Sequence, residues 1–236
     1  MLTLIQYPAA FNSSSASPFC TKVELLLKMA NLDYVIEDLA DARKMPHQKL
    51  PVLRDGEKLV VDSVGIRDYL EQQHGANFDQ HLSAEEVAVA HAFTRLCEER
   101  LYWVLLYSRW MNESNWLVVK EHFFGGIPWP GRVIVPAIVR KQVKKTLNGQ
   151  GIGRHPENTV YNFGIEDLQS LETWLGDKPY LMGETISSVD ATVYAFVAAI
   201  LFAPFPSPMK EALEKMGALV AYATRLKKYF FEVSHP

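Results

Sequence analysis

The chain has 236 residues, 48% of them hydrophobic and 22% charged, with a formal net charge of −3. That length allows one large unit or two modest ones with their own cores, and the slight acidity gives no bulk electrostatic reason to expect nucleic acid or an anionic membrane as partner. Cys20 and Cys97 are the only cysteines, which makes no disulfide framework and fits a reducing compartment, the cytosol by default.

The opening MLTLIQYPAAFNSSSA has no basic stretch, and its apolar run is broken by Gln6 and Pro8, so it does not read as a signal peptide. LTLIQY is a predicted strand. From Pro18, the spacing of Val23, Leu26, Leu27 and Ala30 predicts a helix with Ser17 as N-cap and Pro18 in the first turn. YVIE at 34–37 is the next strand, followed by a short helix over 40–46. PVLRDGEKLVVD reads as two strands about Asp55 and Gly56, and Ser63 caps a helix ending near Gly75. The order β-α-β-α-β-β-α implies a small mixed sheet, because a helical crossover makes neighbours parallel and a tight turn makes them antiparallel. This is a thioredoxin-like arrangement over residues 1–76. After Leu82 the strand patterns nearly vanish, so 83–236 is predicted as an all-helical domain, with long helical patterns at 84–111, 132–147, 157–175 and 188–203. FGGIPWPGR at 124–132 and NGQGIGRHPE at 148–157 are interhelical loops. The apolar run Val193 to Ala203 is too short to span a bilayer and reads as a buried helix.

The first helix carries the first chemical signal. S-P-F-C has the spacing of a C-P-x-C redox motif, but Ser17 stands at its first position, so a two-cysteine disulfide cycle within the motif is excluded. Ser17 lacks the adjacent base that a serine nucleophile needs. Its ordinary role is an N-cap; its chemical role is to donate a hydrogen bond to a thiolate brought by a ligand. A charge-assisted bond of about 1.5–3 kcal/mol, with a helix-end contribution of roughly 0.3–2 kcal/mol, lowers a bound thiol's pKa by about one to three units. Cys20 is a second candidate: a helix amino end lowers a thiol pKa, while cysteine is also a common core residue. Pro51 at a strand start would, with a cis Leu50–Pro51 bond, leave the Leu50 backbone free to pair with an extended peptide. Asp62 and Ser63 at another helix start suit an ammonium and a carboxylate, or simple capping. Together these features describe a pocket for a short zwitterionic peptide with a thiol in its middle.

On these residues the chain resembles a glutathione transferase. ISSVDATVYAF is similar to that family's capping box, with Ser187 at N-cap and Asp190 at N3. SPFCTKVELLLKM, GQGIGRH and LGDKPYLMGETISSVDATVYAF are similar to the failed axon connections class, related to the metaxins. The resemblance implies glutathione as co-substrate and no metal. It places Ser17 beside the sulfur, Leu50 and Pro51 along the peptide, Asp62 and Ser63 at the γ-glutamyl end, and Lys49 and Lys44 at the glycyl carboxylate. Tyr7, late in the first strand, is a second thiol activator. A hydrophobic electrophile would sit between the domains, against YWVLLYSRW at 102–110 and a loop bearing Phe123, Phe124 and Trp129. A homodimer and a detoxifying transferase are expected. The alternatives are a non-enzymatic, metaxin-like adaptor and a Cys20-dependent thiol-disulfide transferase.

Overall fold

The computed structural model describes residues 1–232; residues 233–236, the end of the predicted helical region, lie outside them. Four strands form one mixed sheet in the order β2-β1-β3-β4. β1 (Leu2–Gln6) and β2 (Tyr34–Asp38) run parallel, because α1 (Pro18–Met29) carries the chain back between them. β3 (Val52–Asp55) lies antiparallel to both β1 and β4 (Lys58–Val61). Asp55 faces Lys58, so the hairpin turn is Gly56 and Glu57, one residue later than predicted. Gly56 has φ +58°, which glycine takes without a Cβ penalty.

The short helix predicted over 40–46 is two separate 3₁₀ turns, Ala42–Lys44 and Pro46–Gln48. Pro46 lacks an N–H, and His47 and Gln48 have φ of +57° and +53°, so no continuous helix passes through them. α2 (Ser63–His74) begins one residue off expectation: its N-cap is Asp62, whose carboxylate accepts from the Val64 N–H at 2.9 Å, and Ser63 is the first helical residue.

The rest of the described chain is helical. α3 (Ala84–Arg95) continues through a π-helical stretch at Leu96–Leu101 into α4 (Tyr102–Met111), matching the span predicted at 84–111. α5 (Glu113–Phe124) has no predicted counterpart, so Phe123 and Phe124 close a helix rather than sit on a loop. α6 (Gly131–Gln150) runs longer than the predicted 132–147, and α7 (Glu157–Leu175), α8 (Ser188–Leu201), α9 (Pro208–Leu213) and α10 (Gly217–Lys227) follow. Arg154 organises the turn after α6 by donating to the Asn148 carbonyl at 2.8 Å.

α8 is apolar on every face and is buried from Ser188 to Ile200. One core cluster joins Leu4, Leu26 and Leu53 on the sheet side to Leu101, Val104 and Phe196 among the helices. α1 lies between, with nine of its residues buried. Its amino end is therefore held from both sides, which fixes the position of Ser17.

Candidate functional site

Ser17 occupies the N-cap position of α1, with φ −108° and ψ 127°, yet its hydroxyl makes no capping bond. Pro18 has no N–H to offer, and the Cys20 and Thr21 N–H groups both point to the Ser17 carbonyl at 3.1 Å. Phe19 is then the one first-turn residue whose N–H is not engaged by backbone. No acidic side chain stands in the first turn, and Ser17 is partly exposed. The positive end of the helix and the partly exposed Ser17 thus lie together, with the hydroxyl within reach of the Cys20 thiol, an arrangement suited to an anion. The preceding loop is held by its own serines: Ser15 Oγ donates to the Tyr7 carbonyl at 2.8 Å and accepts from the Ser17 N–H at 3.3 Å.

Cys20 does not gain the lowered pKa expected at a helix amino end. It is fully buried, in a small cluster with Ile5, Ala42, Leu50 and Val52, against which Tyr7 packs. Burial pushes its thiol up to about 11, outweighing hydrogen bonds from the Tyr7 backbone and the Ser15 and Ser17 hydroxyls that favour the thiolate. Tyr7 is likewise pushed up, to about 12, mainly by burial and then by the neighbouring Cys20. Neither side chain is a ready anion near neutral pH.

The Leu50–Pro51 bond is cis. Leu50 is buried, and its backbone bonds to no other backbone group among the described residues. Lys44 and Lys49 are exposed on the segment leading to it. Across the site, Asp62 is exposed at φ +68°, a conformation costly for a residue with a Cβ. Ser63 is only 5% exposed, and its Oγ accepts from Lys22 Nζ at 3.3 Å.

Lys22 was not among the sequence candidates. It is 2% exposed, and its ammonium also donates to Glu98 Oε1 at 2.7 Å, a residue of the helical region that Arg95 pairs from the other side. Burial lowers the Lys22 pKa and Glu98 opposes that shift. The signal was present in sequence: Lys22 interrupts the stripe Pro18, Leu25, Leu26, Met29, where a charged residue must find a partner. Arg109 of α4 also went unpredicted; it is buried and donates to the Ala16 carbonyl at 2.8 Å.

The aromatic residues predicted to wall an electrophile site are dispersed. Tyr102 is half-buried against Phe19 and Phe196, with centroids 5.2 and 6.4 Å away. Trp110 packs on Trp116 and Phe123, Phe124 is buried, and Trp129 is 83% exposed. A cavity of about 700 Å³ lies among α4, α5 and α6, and of that predicted wall Tyr107 alone lines it. Trp116, Pro136 and Arg140 contribute other parts of its surface.

The sequence pattern described as glutathione S-transferase N-terminal domain matches residues 18–115, and the glutathione S-transferase C-terminal domain matches 164–226. The chain is 32% identical over 237 residues to an isoprene-epoxide–glutathione S-transferase of Rhodococcus sp. (strain AD45), covering 98% of this chain and 99% of that one. It is 27% identical to failed axon connections of Drosophila melanogaster over 92% of this chain, which spans only 55% of that protein. Human metaxin-1 is 27% identical over 83% of this chain and is matched over 44% of its own length. Among solved structures, the beta-etherase LigF of Sphingobium sp. strain SYK-6 superposes with a TM-score of 0.68 over 99% of both chains, at 18% identity, a likeness of fold.

Proposed function

Because this chain belongs to the glutathione S-transferase family, we propose that it binds glutathione, holds its sulfur as a thiolate beside Ser17 and transfers that sulfur to a hydrophobic electrophile. The observation that carries this reading is the uncapped Ser17 hydroxyl at the amino end of α1, with no acid in the first turn to occupy the same field. The hydroxyl donates to the sulfur and the helix end adds positive potential, so the thiol proton leaves to solvent at a lower pH than in free glutathione.

Leu50 offers its unpaired backbone to the cysteinyl part of the tripeptide, and exposed Asp62 faces the ammonium of the γ-glutamyl end. Lys22 donates into Ser63 Oγ, so the Ser63 O–H is directed to another acceptor, which in this reading is the γ-glutamyl carboxylate. Lys49 and Lys44 serve the glycyl carboxylate. Residues 1–76 are thus the glutathione-binding unit, and 83–236 supply the electrophile's surroundings and the contacts of a homodimer in a reducing compartment.

The transfer itself needs orientation more than acid–base chemistry. The thiolate attacks an electrophilic carbon; with an epoxide, the class named for the Rhodococcus relative, the S–C bond forms as a C–O bond breaks and the alkoxide takes a proton from solvent. Calorimetric titration with glutathione tests the reading, with conjugation of a small aliphatic epoxide as the activity assay. Saturable binding below millimolar and loss of conjugation in Ser17→Ala are expected; no binding at millimolar glutathione overturns the proposal. An adaptor of the metaxin kind would leave conjugation absent in the native protein as well.

A further inference from the structure

Arg109 is a buried cation with no anionic partner among the described residues. It is 8% exposed, and no carboxylate lies within ion-pair distance of it among the described residues. Its guanidinium donates to two carbonyls, Ala16 at 2.8 Å and Ala199 at 3.2 Å, while its Nε has no partner. The rings of Phe11 and Phe205 lie 5.5 and 5.2 Å from its central carbon. Carbonyl oxygens and ring faces recover part of the lost hydration, but a desolvated charge without a counterion is costly and rarely kept without a use. Its location gives the use: Ala16 adjoins Ser17, so the charge from α4 reaches across to the residue before the sulfur site.

Few other charges intervene. On α4 itself the titratable neighbour that acts on Arg109 is the half-buried Tyr102 phenol. His122 of α5 packs against Phe11, with ring centroids 4.8 Å apart. The loop 8–16 and α8, from Ser188 to Leu201, contribute no basic side chain, and the one acid on that helix, Asp190, is spent at its first turn. At the sulfur site the facing titratable groups are Tyr7 and Cys20, with Asp41 and Tyr102 acting on Tyr7 and Glu24 on Cys20. Asp41 is paired with Arg43 and Glu24 with Lys28.

We propose that Arg109 is a positioning and charge-supplying residue for the thiolate: it pins the Ala16–Ser17 peptide from the helical region and supplies the positive field that a ligand anion completes. This rests on the glutathione reading above. It assigns to the helical region part of the thiol activation that the sequence places wholly in the first 76 residues, at Ser17 and the end of α1 with Tyr7 and Cys20 as the other candidates.

Charge and hydrogen bonding separate in two substitutions. Arg109→Lys keeps the charge, whereas Arg109→Gln keeps a donor for the Ala16 carbonyl and loses the charge. The measurement is the pH titration of bound glutathione by the ultraviolet absorbance of its thiolate, beside the affinity for S-methylglutathione, which has no thiol to ionise. Arg109→Gln should raise the bound thiol's apparent pKa by about one unit, a tenfold loss of thiolate below that pKa. Arg109→Lys should stay near the native value, and both variants should bind S-methylglutathione within about twofold of native, since the methylated ligand has no charge to stabilise at the sulfur. Equal pKa values in the native and Gln proteins overturn the proposal, as does an equal loss of both ligands, which would mark Arg109 as only a loop anchor. Should the Gln variant not fold, the native protein still decides: glutathione sulfonate, a fixed anion at the sulfur, should bind at least about tenfold tighter than S-methylglutathione, and equal affinities overturn the proposal. A native protein that binds none of the three ligands defeats the glutathione reading itself, and this inference with it.

Discussion

At the amino end of α8, Ser187 is fully buried and gives both its N–H and its hydroxyl to Asp190, at 2.8 and 2.9 Å. At the amino end of α1, Ser17 is partly exposed and its hydroxyl bonds to none of the first-turn N–H groups. The two starts read alike, S-x-x-D and S-x-x-C, and the third residue after the serine decides between them. Asp190 brings a carboxylate that fills the positive helix end from within and also accepts from the Leu181 N–H and the Tyr222 hydroxyl. Cys20 brings an apolar, protonated side chain that packs inward and leaves the helix end unneutralised. One helix start is closed by the protein's own carboxylate; the other is not.

The largest expected effect lies at the closed start. Asp190→Ala strands three donors in the core and leaves the Tyr222 hydroxyl only the backbone carbonyl of residue 190, and should cost about 3–5 kcal/mol in urea unfolding. A loss below about 1 kcal/mol would mean that the two starts do not differ as described. Next comes the buried link between the sheet and the helices. Lys22→Met leaves Glu98 without its ammonium partner and should cost about 3 kcal/mol, of which the double variant with Glu98→Gln recovers part. Additive losses in that cycle would show that the pair is not coupled.

Ser17→Ala sharpens the contrast from the open side. Because the hydroxyl caps nothing, its loss should change stability by less than about 0.5 kcal/mol. Removing a charge-assisted bond of about 1.5–3 kcal/mol should nevertheless lower kcat/KM for conjugation by about 10- to 100-fold. Ser187→Ala should do the reverse, costing stability and leaving the conjugation rate per folded molecule near native.

The smallest effect belongs to Cys20. Its thiol is pushed up from 9.0 to about 11, so the folded state holds this proton more tightly than the unfolded chain does. The stability that this supplies is complete below about pH 9 and is lost as pH rises toward 11. Cys20→Ala should flatten part of the alkaline fall in urea midpoint across that window, at a packing cost of about 1 kcal/mol near neutral pH. Cys97 and the tyrosines that burial also pushes up, Tyr7 among them, keep the remainder of the slope. Rapid alkylation of Cys20 in the folded protein at pH 7 would contradict its burial.

Much of this contrast was legible before any coordinates. The βαβ crossover, the hairpin, the buried α8 and the Ser187–Asp190 pair follow from period, turn residues and cap spacing, which are local. α5 was missed because ESNWLVVKEHFF mixes polar and apolar residues without a clear stripe, and its helix is held by packing of Trp116, Val119 and Phe124. The 40–46 segment failed as a helix because Pro46 and the left-handed His47 and Gln48 overrode its composition. The positions of Ser17, Leu50, Asp62 and Ser63 at helix and strand starts were legible in the sequence. Lys22 and Arg109 were not, since their partners lie 76 and 93 positions away along the chain. Long-range polar pairing leaves only an indirect trace in sequence, a charged residue on an apolar stripe. Ser63 shows the consequence: its predicted role as a cap gave way to Asp62, while its hydroxyl turned to a lysine that only the fold brings near.

The central claim is that the serine left open at α1 ionises a thiol the protein does not itself own. It is tested most directly by titrating the thiolate absorbance of bound glutathione in the native protein and in Ser17→Ala. The account predicts an apparent pKa one to three units below that of free glutathione in the native complex, returning most of the way in Ser17→Ala; the same pKa in both complexes would contradict it.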